Sequence, residues 1–267
     1  MNLQRFIDAK QEELAALRRA MPAPLQLPRP DFEAALRAAP RVGAPLHVIA
    51  EFKRSSPSEG VINNTRPPKE AARLYASGGA TCMSVLTEQR YFCGSTADLT
   101  AAASSGLPLL RKDFIFHELQ VRETFATPAS ALLFIVALTP DAEQLRDLRL
   151  LAESQGIHAV VEVFTEAELD IARESGARIL QINARNLETF RTDREACLRM
   201  AAHCLPGECC IAASAMSAHE HLQQAGAAGF RAALIGTALM RSSAPDEIHS
   251  LRKQSHRYPR CCQARVR

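Results

Sequence analysis

The chain has 267 residues, 47% apolar and 23% charged, a globular composition that excludes a disordered protein. It has no Trp and only 5% aromatic residues, which excludes an aromatic platform for stacking single-stranded nucleic acid. The formal charge of +3, from 32 Lys and Arg against 29 Asp and Glu, is concentrated at one end: no acidic residue follows Glu247, whereas Arg252, Lys253, Arg257, Arg260, Arg265 and Arg267 do. Residues 1–251 therefore form a mildly acidic body. The segment 252–267, without apolar periodicity, is expected to be a disordered, solvated basic tail, with neither nucleic acid nor a membrane as partner.

The N-terminus lacks the apolar core of a secretory signal, and no run approaches the roughly 20 apolar residues of a membrane span. A cytoplasmic location is expected. Accordingly the eight cysteines, which lack paired CxxC spacing, are read as free thiols of a reducing compartment, mostly buried. A zinc site from His256, Cys261 and Cys262 is weighed against the awkwardness of adjacent cysteines as ligands of one metal, and no metal is expected.

Residues 2–20 carry Leu3, Phe6, Ile7, Leu14 and Leu17 at helical spacing. The four prolines of MPAPLQLPRP (21–30) then impose a loop, and Asp31 reads as the N-cap of a short helix ending near Pro40. From residue 46 short apolar runs alternate with helical segments. The runs are 46–52, 81–86, 108–113, 130–136, 158–163, 178–183, 208–214 and 232–236, and several of the helical segments end in Gly. Eight strand–helix alternations with continuously apolar strands predict a parallel sheet covered by helices. In about 250 residues that is a (β/α)8 TIM barrel with an N-terminal helical extension (1–45), one domain over 1–251. The alternative, a doubly wound open sheet, is weakened because no GxGxxG follows the first strand.

A barrel carries its chemistry at the C-terminal ends of its strands. There the sequence places Glu51 and Lys53, which share a strand face, then Lys112, Glu162, Asn183 with Arg185, Ser214, and Gly236-Thr237 at the start of a last helix. Each alone reads as a solvated strand-end group. Together, two glutamates and two lysines around one mouth suit acid–base chemistry without a metal. The hydroxyl-rich loop 54–60, with Ser56, and the Gly236-Thr237 turn suit a phosphorylated small substrate.

Several segments resemble one family. IAEFKRSSPSEG (49–60), SVLTEQRYFCGS (84–95), LLRKDF (109–114), VVEVFTEAEL (160–169), INARNLETF (182–190) and LIGTALM (234–240) are similar to the motifs of indole-3-glycerol-phosphate synthase, over roughly residues 2–245. The resemblance implies a TIM barrel that closes the ring of 1-(2-carboxyphenylamino)-1-deoxyribulose 5-phosphate, releasing CO2 and water, without a cofactor. It implies Lys112 as proton donor to the ketone, Glu162 in the second acid/base role with Glu51 assisting, and Lys53 on the substrate carboxylate. Asn183 and Arg185 would orient the substrate's hydroxyls and its anion. Ser56, Ser214, Gly236 and Thr237 would hold the phosphate. The N-terminal helix and Phe92 would cover the site, and Phe114 and Leu187 would hold the aromatic ring. A monomer is expected.

Three departures stand out. The family's A-E-S-G-I reads Ala212-Ala213-Ser214-Ala215-Met216 here, so a carboxylate and a phosphate-loop glycine are missing. Pro128 and Ser130 stand where G-A-D is usual. The first expectation is a working but weakened synthase. The alternative is a paralogue that binds an indole- or sugar-phosphate, or a protein partner, without turnover. A third reading, phosphoribosylanthranilate isomerase, lacks the Cys/Asp pair it needs at the first and seventh strand ends.

Overall fold

The computed structural model describes residues 3–185, 192–242 and 248. Eight parallel strands, β1 (His47–Phe52), β2 (Cys82–Leu86), β3 (Leu109–Ile115), β4 (Ala131–Ile135), β5 (His158–Val163), β6 (Ile179–Asn183), β7 (Cys209–Ala213) and β8 (Ala232–Ile235), pair in chain order. β8 closes onto β1 with Ile49 opposite Leu234. All eight runs expected to be strands are strands, and the (β/α)8 barrel is the fold.

The alternation of each strand divides the apolar residues into two layers. Ile49, Leu110, Leu133, Val160, Ile179, Ile211 and Leu234 fill the barrel interior. Val48, Phe52, Phe134, Val161, Leu180 and Ile182 face outward into the layer beneath the helices. Both faces of each strand are thus withdrawn from water, which is why these runs read as continuously apolar.

The N-terminal segment forms α1 (Gln4–Arg19) and α2 (Phe32–Arg37). Asp31 caps α2 as expected, its Oδ1 accepting from the Ala34 N–H at 2.8 Å. Phe32 and Leu36 of α2 plug the N-terminal end of the barrel, where Arg37 donates to the Gly207 carbonyl at 2.8 Å and His47 bonds the Ala38 carbonyl at 3.0 Å. α1 lies at the other end, beside β3. The connecting loop runs between them along α5 (Glu118–Phe125), with Arg29 bonding the carbonyls of Phe125 and Thr127.

The remaining helices, α3 (Pro68–Gly78), α4 (Thr96–Ala102), α6 (Ala142–Glu153), α7 (Glu166–Glu174), α8 (Arg194–Met200), α9 (His219–Ala228) and α10 (Thr237–Arg241), follow the expected segments. Pro128 and Ser130 are accommodated between α5 and β4, where the Ser130 N–H still donates to Leu109 at 2.8 Å. Among the described residues no helix is long and apolar enough to cross a membrane.

The thiol expectation needs correction. Cys82, Cys197 and Cys209 are buried and free, and Cys93 is free but exposed. Cys204 and Cys210, however, form a disulfide with Cα atoms 6.8 Å apart. The tight Leu205–Glu208 turn between α8 and β7 folds the two residues back on each other. His256, Cys261, Cys262 and the tail 252–267 lie outside the described residues.

Candidate functional site

The C-terminal ends of the strands surround a cavity of about 480 Å³. Glu51, Lys53, Ser56, Lys112, Glu162, Asn183, Arg185, Ser214, Gly236 and Thr237 all line it. The alternation of β1, β3, β5 and β6 accounts for the convergence, since each places its polar residue on the inward face, above an apolar one on β1, β3 and β5 and above Gln181 on β6. Leu187 lies outside the described residues.

The floor holds two ammonium–carboxylate pairs. Lys53 Nζ lies 2.9 Å from Glu51 Oε1, and Lys112 Nζ lies 3.8 Å from Glu162 Oε2. Glu51 and Glu162 are buried, whereas the lysines remain partly open to the cavity. A Cβ at Gly236 would overlap the Glu51 carboxylate, so any other residue at this turn would displace the end of the Glu51 side chain.

Neighbouring groups form a rim of hydroxyl, amide and guanidinium groups. Asn183 Oδ1 accepts from Ser214 Oγ at 2.7 Å and from the Arg185 N–H at 3.0 Å. The Arg185 guanidinium reaches Ser58 Oγ at 3.2 Å. Ser55–Ser56 and Gly60–Val61 pair as a short hairpin, so the loop after β1 has a defined shape. At the end of β7, Ser214 and Ala215 adopt positive φ values of 67° and 56°. The turn thus keeps a left-handed path although neither residue is glycine.

The opposite wall is apolar. Phe6 of α1 stacks on Phe114 with ring centroids 3.9 Å apart and planes 14° apart, and the Phe92 ring lies 6.1 Å from Phe114. Leu86, Ile135 and Leu234 extend this wall. The carboxylate of Glu88 holds the loop that carries Phe92, accepting from the N–H groups of Arg90, Tyr91 and Phe92 at 2.7–3.0 Å.

Two features were missed at the level of sequence. One is Gln181, a fully buried inward residue of β6 whose amide donates to Glu162 Oε2. Its signal is a lone polar residue inside an apolar strand, on the same face as Asn183. The other is a buried ion network around Lys112. Arg111 and Asp113 pair with groups of α1 and α5 rather than with Glu162, and Asp113 also borders the cavity. Asp113 bonds Lys10 of α1 at 2.6 Å, Thr87 at 2.6 Å and Arg111 at 3.3 Å, and Arg111 also pairs with Glu123 at 2.6 Å. Burial alone would raise the Asp113 pKa, but Lys10 and Arg111 outweigh it and bring it down to about 2. Burial likewise opposes the charge on Lys10, and Asp113 and Glu13 overcome it, so its pKa is raised.

Among the described residues the grouping of metal-ligand type is Cys204, Glu208 and Cys210. It lies away from the cavity, with its sulfurs joined to each other and Glu208 held by Arg173 at 2.8 Å.

Such a cavity, with paired Lys and Glu beneath an aromatic wall and a rim of hydroxyl, amide and guanidinium groups, has the chemistry to accept an aromatic sugar phosphate and move protons on it. Comparison with known proteins agrees. The family described as indole-3-glycerol phosphate synthase matches residues 3–251. The enzyme of that name from Micrococcus luteus is 40% identical over 254 residues, 92% of this chain and 94% of its own. That from Chlorobium limicola is 37% identical over 257 residues, 93% and 97% of the two chains. Among solved structures, the barrel is similar to an N-acetylmannosamine-6-phosphate 2-epimerase from Clostridium perfringens, with a TM-score of 0.57 and 15% identity over 75% of this chain and 90% of that one. It is also similar to a thiamine phosphate pyrophosphorylase from Pyrococcus furiosus, with a TM-score of 0.56 and 13% identity over 79% and 97%. These two likenesses concern the fold alone. With the family matched from residue 3 to 251 and relatives near 40% identity along almost the whole chain, this protein belongs to the indole-3-glycerol phosphate synthase family.

Proposed function

We propose that the chain acts as a decarboxylating cyclase that converts 1-(2-carboxyphenylamino)-1-deoxyribulose 5-phosphate to indole-3-glycerol phosphate, CO2 and water, with Lys112 as the proton donor. The observation that carries this reading is the position of Lys112. Its ammonium faces the cavity beside the Glu162 carboxylate and below the Phe6–Phe114 wall.

The ring carbon bearing the carboxylate attacks the ribulose ketone, whose oxygen becomes an alkoxide. An ammonium at that oxygen supplies both charge and proton. Lys53 holds the carboxylate until it departs as CO2. Glu162, with Glu51 assisting, protonates the departing hydroxyl and accepts the ring proton as the indole forms. Asn183 and Arg185 orient the sugar, and Ser56, Ser214, Gly236 and Thr237 receive the phosphate. The proposed setting is a cytoplasmic monomer acting on this small phosphorylated substrate.

Ala213 and Ala215 favour a second reading, a paralogue that binds without turnover. Against it, both Lys/Glu pairs are in place and the backbone turn at Ser214–Ala215 persists. A weakened enzyme is the reading these features support.

Indole fluorescence with the carboxyphenylamino-deoxyribulose phosphate separates the two. Wild-type protein is expected to turn over, and Lys112→Ala to lose about 10²–10⁴-fold in kcat. Wild-type turnover no greater than that of Lys112→Ala would refute the enzyme reading.

A further inference from the structure

We propose that Gln181 is a positioning residue for Glu162: its amide takes up one carboxylate oxygen and leaves the other to exchange protons with the substrate. Gln181 and Glu162 are register partners on adjacent strands and both point into the barrel. Gln181 Nε2 donates to Glu162 Oε2, the same oxygen that faces Lys112 Nζ at 3.8 Å. A carboxylate only accepts hydrogen bonds, so the amide must present its nitrogen to it. With Oε2 held between an amide and an ammonium, Oε1 is the oxygen directed to the reacting atoms.

Three observations separate this role from ordinary packing. Gln181 is fully buried in a strand whose inward residue below it, Ile179, is apolar. Its Oε1 has no hydrogen-bond partner among the described residues, so the side chain carries the cost of a buried unpaired acceptor. A residue kept only for packing would be apolar at this place. Finally, Gln181 does not line the cavity, although Glu162 does. Its influence on chemistry therefore passes through Glu162, and its removal should change kcat and leave KM nearly untouched.

The inference rests on the proposed cyclase reaction, and the experiment keeps the two apart. Steady-state kinetics by indole fluorescence is measured on the full chain, wild type, Gln181→Met, Gln181→Asn, Glu162→Gln and Glu162→Gln with Gln181→Met. Met keeps the length and volume without the donor, and Asn keeps the amide but is one methylene too short to reach. Either variant therefore carries the test if the other fails to fold. Loss of a hydrogen bond to a charged group predicts a fall in kcat of about tenfold to a hundredfold, with KM within about twofold. In the Glu162→Gln background the same Gln181→Met change should alter kcat by less than about twofold, because residues acting through one another are not additive. A kcat that is unchanged in the single variants, a loss borne by KM, or an additive loss in the double variant would overturn the role of Gln181 while leaving the cyclase reading intact. No turnover by wild-type protein would overturn both.

Discussion

Replacing Lys10 by Met should loosen the N-terminal helix from the barrel. Lys10 Nζ sits 2.6 Å from Asp113 Oδ1 and 2.8 Å from Glu13 Oε2, and its side chain is fully buried, as is that of Asp113. Breaking a buried pair by removing one partner typically costs about 3–5 kcal/mol. Met retains the apolar stem, and Asp113 retains Arg111, the Thr87 hydroxyl at 2.6 Å and the Phe114 N–H at 2.8 Å. The cost should therefore fall near the lower limit, about 3 kcal/mol, a factor of about 10² in the docking equilibrium of α1. Two measurements check it. Amides of α1 should exchange about 10²-fold faster under native conditions than in wild type while those of β3 keep their protection. KM should rise, because Phe6 of α1 forms part of the aromatic wall. A destabilisation under about 1 kcal/mol with unchanged exchange would refute the reasoning. It would mean that the ion pair only balances its own desolvation and that Phe6, Leu14 and Leu17 hold the helix by themselves.

Two further outcomes are expected. Ala215 has φ 56°, and a Cβ in the left-handed region costs about 1–2 kcal/mol, of which glycine returns about 0.4–1 as unfolded-chain entropy. Ala215→Gly should thus stabilise by about 0.5–1 kcal/mol, raising the urea midpoint at constant slope, and combined with Ala213→Glu it should raise kcat/KM. A lowered midpoint would show that the Cβ does not strain the turn. In acid, Asp113 is held at about 2, below the ordinary 3.8. Because the folded value is the lower, its contribution is complete above about pH 4 and is lost as pH falls from there through 2. Stability measured between pH 5 and 2 should fall less steeply in Asp113→Asn than in wild type, and equal slopes would contradict the assignment.

The barrel was readable because both faces of every strand are buried, so the apolar runs are unbroken and their spacing survives every loop. The site was readable for a related reason. Polar residues that share the inward face at the end of such a run reach the rim, and Glu51, Lys112, Glu162 and Asn183 line one cavity. What escaped were pairings between distant parts of the chain. Lys10 looks like any solvated helix lysine until α1 is laid beside β3. Gln181 looks like a tolerated polar residue until β5 is set against β6 in register. The Cys204–Cys210 pair was hidden because its spacing matches no metal or redox motif, and it depends on the turn between α8 and β7.

The third strand shows how one run of charges serves two purposes. Arg111, Lys112 and Asp113 are consecutive, yet the Lys112 ammonium enters the cavity beside Glu162 while Arg111 and Asp113, the latter bordering the cavity, are tied into a separate buried network with α1 and α5. The outer two are buried among Lys10, Thr87, Glu123 and Thr124, where every charge has a partner of opposite sign or a hydroxyl. Close-packed and paired on both sides, this framework leaves β3 little freedom to rotate or slide. Lys112 can then keep a flexible, partly solvated side chain and still aim its ammonium at one place, because the backbone that carries it is fixed from outside the barrel. The same network ties α1, and with it Phe6, to the strand that bears Lys112. The aromatic wall and the Lys112 ammonium are thus set by one group of buried charges, so disturbing Lys10 should be felt at the site although it lies outside the cavity.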